Sequence, residues 1–259
     1  MRLRRVIRRS PAGRGWRRGT DLELFQRALG FAALGFLTLV PLLLIVSSAD
    51  PQHGRGFAQW LSDGLGVSAA SRAHVERLFA PAGQALRTTT AFGIAALAVF
   101  GLSFSALVQA GFEKVWGLPS ARWWARWRHV VWLAGLTGYL FASATTLRSH
   151  IPTGALMAVV SAVLFFWWSQ RMLLGGRVRW RALLPGAVAT VLGLLGLRVF
   201  SQLVFSPLIA SNTVSYGPFG TVLVVQSWLI GVGVVVFGGA LVGRLAHEEI
   251  GRVAQKRRR

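Results

Sequence analysis

Apolar residues in this chain come in long runs, and short stretches rich in arginine separate them. Six runs stand out, at 28–48, 88–108, 130–147, 152–169, 183–205 and 219–242. Each holds 18 to 24 residues. An α-helix rises 1.5 Å per residue, so about 20 residues cross a hydrocarbon core of ~30 Å. The pattern predicts an all-α polytopic membrane protein with six transmembrane helices. Only "RSHIP" parts the third run from the fourth, where Arg148 and His150 precede Pro152 and the proline ends the helix before it.

Charge sharpens this picture. The 259 residues are 53% hydrophobic, yet 29 Lys and Arg face 8 Asp and Glu, for a net charge of +21. A soluble domain this apolar would not carry such a charge, and segregation of the two populations along the chain resolves the conflict. Of the cationic residues, 23 fall in the segment before the first run, the second and fourth connections and the tail. Five fall in the first and third connections, the fifth has none, and Arg198 lies inside a run. The positive-inside rule then puts both termini in the cytoplasm of a bacterial inner membrane, and an even number of crossings agrees. The organisation follows as a basic cytoplasmic segment (1–27), a transmembrane domain (28–243) and a basic cytoplasmic tail (244–259). Cleavage of the first 49 residues as a signal peptide competes, but their basic and apolar parts are both long for one. A high pI can mark nucleic-acid binding; basic loops beside apolar spans account for it here, and no nucleic acid is expected as a partner.

The connections carry further signals. Trp116, Trp123, Trp124, Trp127 and Trp132 crowd the second, and Trp167, Trp168 and Trp180 flank the fourth. Indole rings favour the membrane–water interface, so an aromatic belt is the simple reading and a Trp-lined pocket the alternative. In the first connection, Phe57, Trp60, Leu61 and Leu65, then Val75, Leu78 and Phe79, fall at helical spacing. They predict two short amphipathic helices on the outer surface. Small residues line the fifth and sixth runs, with Gly239 and Gly243 forming a GxxxG. Such stripes let helices approach closely in lipid, within one chain or across a homo-oligomer interface. Between Pro207 and Gly220 the chain predicts an irregular, uncharged outer loop, with Pro218 in the first turn of the last helix.

Four segments resemble the YihY/BrkB membrane-protein family: "RALGFAALGFLTLVPLLL", "FSALVQAGFEKVWGLP", "RVRWRALLPGAVAT" and "YGPFGTVLVVQSWLIGVGVVVFGGAL", in that order. The resemblance implies a six-helix inner-membrane protein. It raises two activities, a ribonuclease label and lipid transport in the envelope.

The residues can be set against each. Metal-dependent phosphodiester cleavage needs clustered carboxylates or histidines. His53, His74, His129, His150 and His247 are scattered, "HEEI" at His247 lacks the second histidine of HExxH, and the eight acids lie outside the six runs. No catalytic residues, metal or cofactor are therefore expected. With no Cys, disulfides and Cys-ligated metals are excluded. Proton coupling through an intramembrane carboxylate is disfavoured on the same ground, and no Walker A motif provides for ATP.

Arg198 remains, in "GLLGLRVFSQLVF". Three readings are open. It snorkels to outer headgroups; it locks the bundle by donating to helix carbonyls or Gln226; or, with Gln202 one turn on and Gln226 at similar depth, it holds an anionic group such as a lipid phosphate. In the last two the three side chains point inward within mutual reach. Membrane lipids with anionic headgroups are thus the expected partners, and transport or flipping of an anionic lipid or amphiphile the leading function. A scaffold without a permeation path is the alternative. A groove lined by Arg198, Gln226, Thr38, Ser103, Thr137 and Ser143 would favour transport.

Overall fold

The computed structural model describes residues 23–49, 90–121, 126–146, 154–216 and 218–256. Six helices form the described part: α1 (Leu24–Ala49), α2 (Thr90–Trp116), α3 (Trp127–Thr146), α4 (Gly154–Leu173), α5 (Trp180–Tyr216) and α6 (Pro218–Lys256). No strand occurs among the described residues. The two amphipathic helices expected within 57–79 lie outside them.

Hydropathy marks where a helix meets lipid, not where its hydrogen bonding ends, and several helices outrun their apolar runs. α2 continues past 108 to Trp116, and α6 past 242 to Lys256. α2 stops where Gly117 turns into the left-handed region (φ 65°). There Gly117 N donates to Lys114 O (3.1 Å) and Leu118 N to Glu113 O (2.8 Å), which satisfies two terminal carbonyls in a Schellman motif. α4 ends the same way: Gly175 (φ 63°) donates to Met172 O and Gly176 (φ 75°) to Arg171 O. The irregular loop expected from Pro207 to Gly220 is a correction. α5 runs helically through Pro207 to Tyr216, and α6 opens on Pro218. Proline is tolerated inside membrane helices because neighbouring groups can satisfy the freed carbonyl.

Among the described residues, four stretches are long and apolar enough to cross a membrane: Ala95–Trp116, Leu156–Leu173, Trp180–Gln202 and Val222–Arg252. α1 offers a shorter apolar stretch among the described residues, Leu24–Leu39. Large apolar side chains stand exposed on these helices. Val99, Leu156, Met157, Leu192 and Leu223 are each more than 60% exposed. A water-soluble protein would bury such a belt, whereas a helix in lipid can leave it exposed.

α6 is the central helix, packed on α5, α1 and α2, while α2 also meets α1 and α3, and α4 meets α5 and α3. The main core gathers Phe31, Phe104, Phe112, Trp132 and Phe237 with Leu173, Leu174 and Leu183. Its rings meet edge-on, as Phe31 does with Phe104 (4.9 Å between centroids) and with Phe237 (6.0 Å). The glycine stripe of α6 is used within the chain. A Cβ at Gly243 would lie 2.9 Å from the Gly186 backbone, and one at Gly239 2.9 Å from that of Thr190. Without a hydrophobic drive between helices in lipid, such backbone proximity supplies the packing.

Candidate functional site

The antiparallel α5–α6 register follows from these contacts. Gly186 meets Gly243, Thr190 meets Gly239, Gly193 meets Val235 and Leu197 meets Gly231. Continuing it sets Gln202 level with Gln226, and Arg198 one turn away. Arg198 and Gln202 are exposed, on the flank of α5 beside exposed Leu195 and Val199, and Gln226 is half-buried, so the inward-pointing trio expected from the sequence is not formed and Arg198 faces away from the helices packed on α5. No hydrogen bond joins the three among the described residues. Two buried polar atoms at the same level, Ser201 Oγ and Trp228 Nε1, also lack partners among the described residues. The hydroxyls expected to line a groove are turned to their own helices. Thr38 donates to Leu34 O (2.7 Å), Ser103 to Val99 O (2.6 Å), Thr137 to Leu133 O (2.9 Å) and Ser143 to Leu140 O (2.9 Å).

A denser polar cluster lies at the opposite end of the bundle, centred on Glu113. Expected in a connection outside the spans, Glu113 is instead 4% exposed and inside the apolar stretch Ala95–Trp116. Glu248 and Glu249 likewise fall within Val222–Arg252, at its end. A carboxylate in the last turn of a helix opposes the helix dipole, and burial adds a desolvation cost. Three donors, in four contacts, offset both. Gln109 Nε2 reaches Oε1 at 2.9 Å, Ala121 N reaches both oxygens at 3.2 and 3.3 Å, and Arg177 Nη2 pairs with Oε1. Arg177 is held in turn, donating from Nη1 to Pro119 O (2.6 Å) and from Nε to Leu174 O (2.9 Å). The α4–α5 turn is thereby tied to the end of α2.

The cluster continues to α3 through an amide. Glu113 can only accept, so the Gln109 amide turns its NH2 toward it and its Oε1 toward His129 Nε2, 2.7 Å away. His129 must therefore carry its proton on Nε2. Burial lowers its pKa from 6.5; Glu113 opposes the shift, while Arg126 and Arg128 reinforce it. Nearby, Trp132 Nε1 donates to Ser169 Oγ, and Arg244 Nη1 donates to Val115 O (2.6 Å), a cation on the last carbonyls of α2.

Sequence reasoning singled out Arg198 and passed over Glu113. The signal for Glu113 was available: it follows Gln109 by four residues, one helical turn, just beyond an apolar run. Among the described residues no three His, Asp or Glu side chains gather as a metal site requires. The arrangement can fasten three helices and one turn together. It offers no nucleophile beside a base.

Neither the curated proteins nor the solved structures contain a match to this chain. The model of the virulence factor BrkB family matches residues 16–259, which takes in every helix described above, and the chain is a member of that family of membrane proteins.

Proposed function

We propose that this protein is a non-enzymatic inner-membrane protein that carries or flips an anionic lipid or amphiphile. It crosses the bilayer six times with both termini in the cytoplasm. The charge asymmetry of the connections supports that topology. Arg198 carries the functional reading. A guanidinium within the apolar stretch Trp180–Gln202 costs about 2.5–3.5 kcal/mol on insertion scales unless something neutralises it. It has no hydrogen-bond or ion-pair partner among the described residues, and its exposure on α5 leaves its donors open to a lipid phosphate. Gln202 and Gln226, level with each other, add amides that can accept and donate along a headgroup's path.

One observation favours the scaffold reading: Thr38, Ser103, Thr137 and Ser143 all bond within their own helices rather than toward a shared groove. A dithionite-quenching assay in proteoliposomes separates the two. With fluorescent phosphatidylglycerol and phosphatidylcholine, the transport reading expects faster movement of the anionic lipid, and loss of that preference in Arg198→Gln. No movement of either lipid by the wild type would leave the scaffold.

A further inference from the structure

The end of the bundle holding Glu113 also carries a recess of ≈ 320 Å³, lined among others by Trp127, Arg128, Trp168, Arg171, Gly175 and Trp180. Two arginines enter it, and they are held differently. Arg171 is fixed by its own turn: Nη1 donates to Gly176 O (2.7 Å) and to Val178 O, and its guanidinium lies 5.6 Å from the Trp180 ring centre. Arg128 lies 5.9 Å from the Trp127 ring centre and has no hydrogen-bond or ion-pair acceptor among the described residues. Its seat is Gly175, where a Cβ would collide with Arg128 Nη1. That glycine, already required by its positive φ, thus also makes room for the guanidinium. Among the described residues no carboxylate lines the recess.

We propose that this recess binds a phosphate-bearing anion, with Arg128 as the bidentate donor and Arg171 as a fixed second charge. The physical case has three parts. Arg presents its donors in a planar fork that matches two phosphate oxygens. Indole rings place the recess at headgroup depth, with Trp127 and Trp180 both exposed. Basic pockets between membrane helices near the interface hold anionic headgroups in this way. The site is separate from Arg198 and does not depend on what Arg198 does; only its assignment to the cytoplasmic leaflet rests on the topology proposed above.

Native mass spectrometry of the full chain, in an Arg198→Gln background that removes the other candidate anion site, tests it. Phosphatidylglycerol and phosphatidylcholine of identical acyl chains are compared, and inorganic phosphate is titrated calorimetrically in parallel. The parent should retain phosphatidylglycerol in preference, and Arg128→Gln should weaken that retention about tenfold, the scale of a charge-assisted hydrogen bond. If phosphate alone binds and Arg128→Gln abolishes it, the ligand comes from solution and the site still stands. Equal retention by parent and Arg128→Gln, with no phosphate binding, overturns it. Should Arg128→Gln fail to fold, Arg128→Lys decides: it keeps the charge but loses the fork, so undiminished preference there overturns the proposal and a clear fall supports it.

Discussion

Removing Arg177 should cost more than removing the carboxylate it pairs with, and the two losses should not add. Glu113 is 4% exposed, whereas the Arg177 side chain is 28% exposed. In Arg177→Met the carboxylate stays buried, with only Gln109 Nε2 and Ala121 N as donors. Breaking a buried pair from one side costs about 3–5 kcal/mol. The partial exposure of Arg177 admits some water, so the low end, about 3 kcal/mol, applies. In Glu113→Gln the guanidinium keeps Pro119 O and Leu174 O and can reach water, so the loss should be about 1 kcal/mol, that of an ordinary hydrogen bond. The double variant leaves no charge stranded and should lose about 2 kcal/mol. The coupling is then about 2 kcal/mol, within the range for contacting charged groups. Reversible unfolding in mixed micelles measures all four proteins. By the scaling for domains of this size, Arg177→Met should unfold roughly 6–12 °C below wild type. Strictly additive losses, or a Glu113→Gln variant weaker than Arg177→Met, would refute the assignment of Glu113 as a carboxylate stabilised mainly by Arg177.

Three further outcomes follow from the same geometry. Gly239→Ala meets Thr190 backbone atoms at 2.9 Å, whereas Gly238→Ala meets nothing within 4 Å. The first should destabilise by about 1–3 kcal/mol and the second should not; equal unfolding midpoints would mean α5 and α6 are not in close contact there. The folded protein holds the His129 pKa below 6.5, so the unfolded chain binds the extra proton first. Stability should hold above about pH 6.5 and fall as pH drops below it. His129→Gln, which retains a donor for Gln109 Oε1, should flatten that slope; an unchanged slope would place its origin elsewhere. Arg198→Leu removes an unpaired charge from an apolar stretch and should favour insertion by about 3 kcal/mol in a translocon assay; no gain would mean Arg198 already has a partner.

The helices were legible in the sequence because lipid requires long uncharged runs, and the central glycines of α6 because close packing requires small residues. Their ends were not. Hydropathy stops at Val108, but the helix carries on through Gln109 and Glu113, whose partners come from residues 121, 129 and 177. No periodicity reveals a partner 64 positions away. The Pro207 to Gly220 segment misled for a related reason. Proline, asparagine and glycine mark loops in water, but the backbone there stays helical to Tyr216. Arg198 was conspicuous as the one cation inside an apolar run, and the structure adds its exposure and the shared level of Gln202 and Gln226. Arg128 was hidden among the basic residues of its connection; only the fold shows it seated on Gly175, 47 positions on.

The proposed topology, six crossings with both ends inside the cell, underlies the reading of depth, leaflet and function alike. Because the chain contains no cysteine, single cysteines can be placed without background. Labelling intact cells with a membrane-impermeant maleimide should leave Ser120→Cys and Lys256→Cys unmodified until the cells are permeabilised, and should modify Ser149→Cys at once. Modification of Lys256→Cys in intact cells would contradict the account.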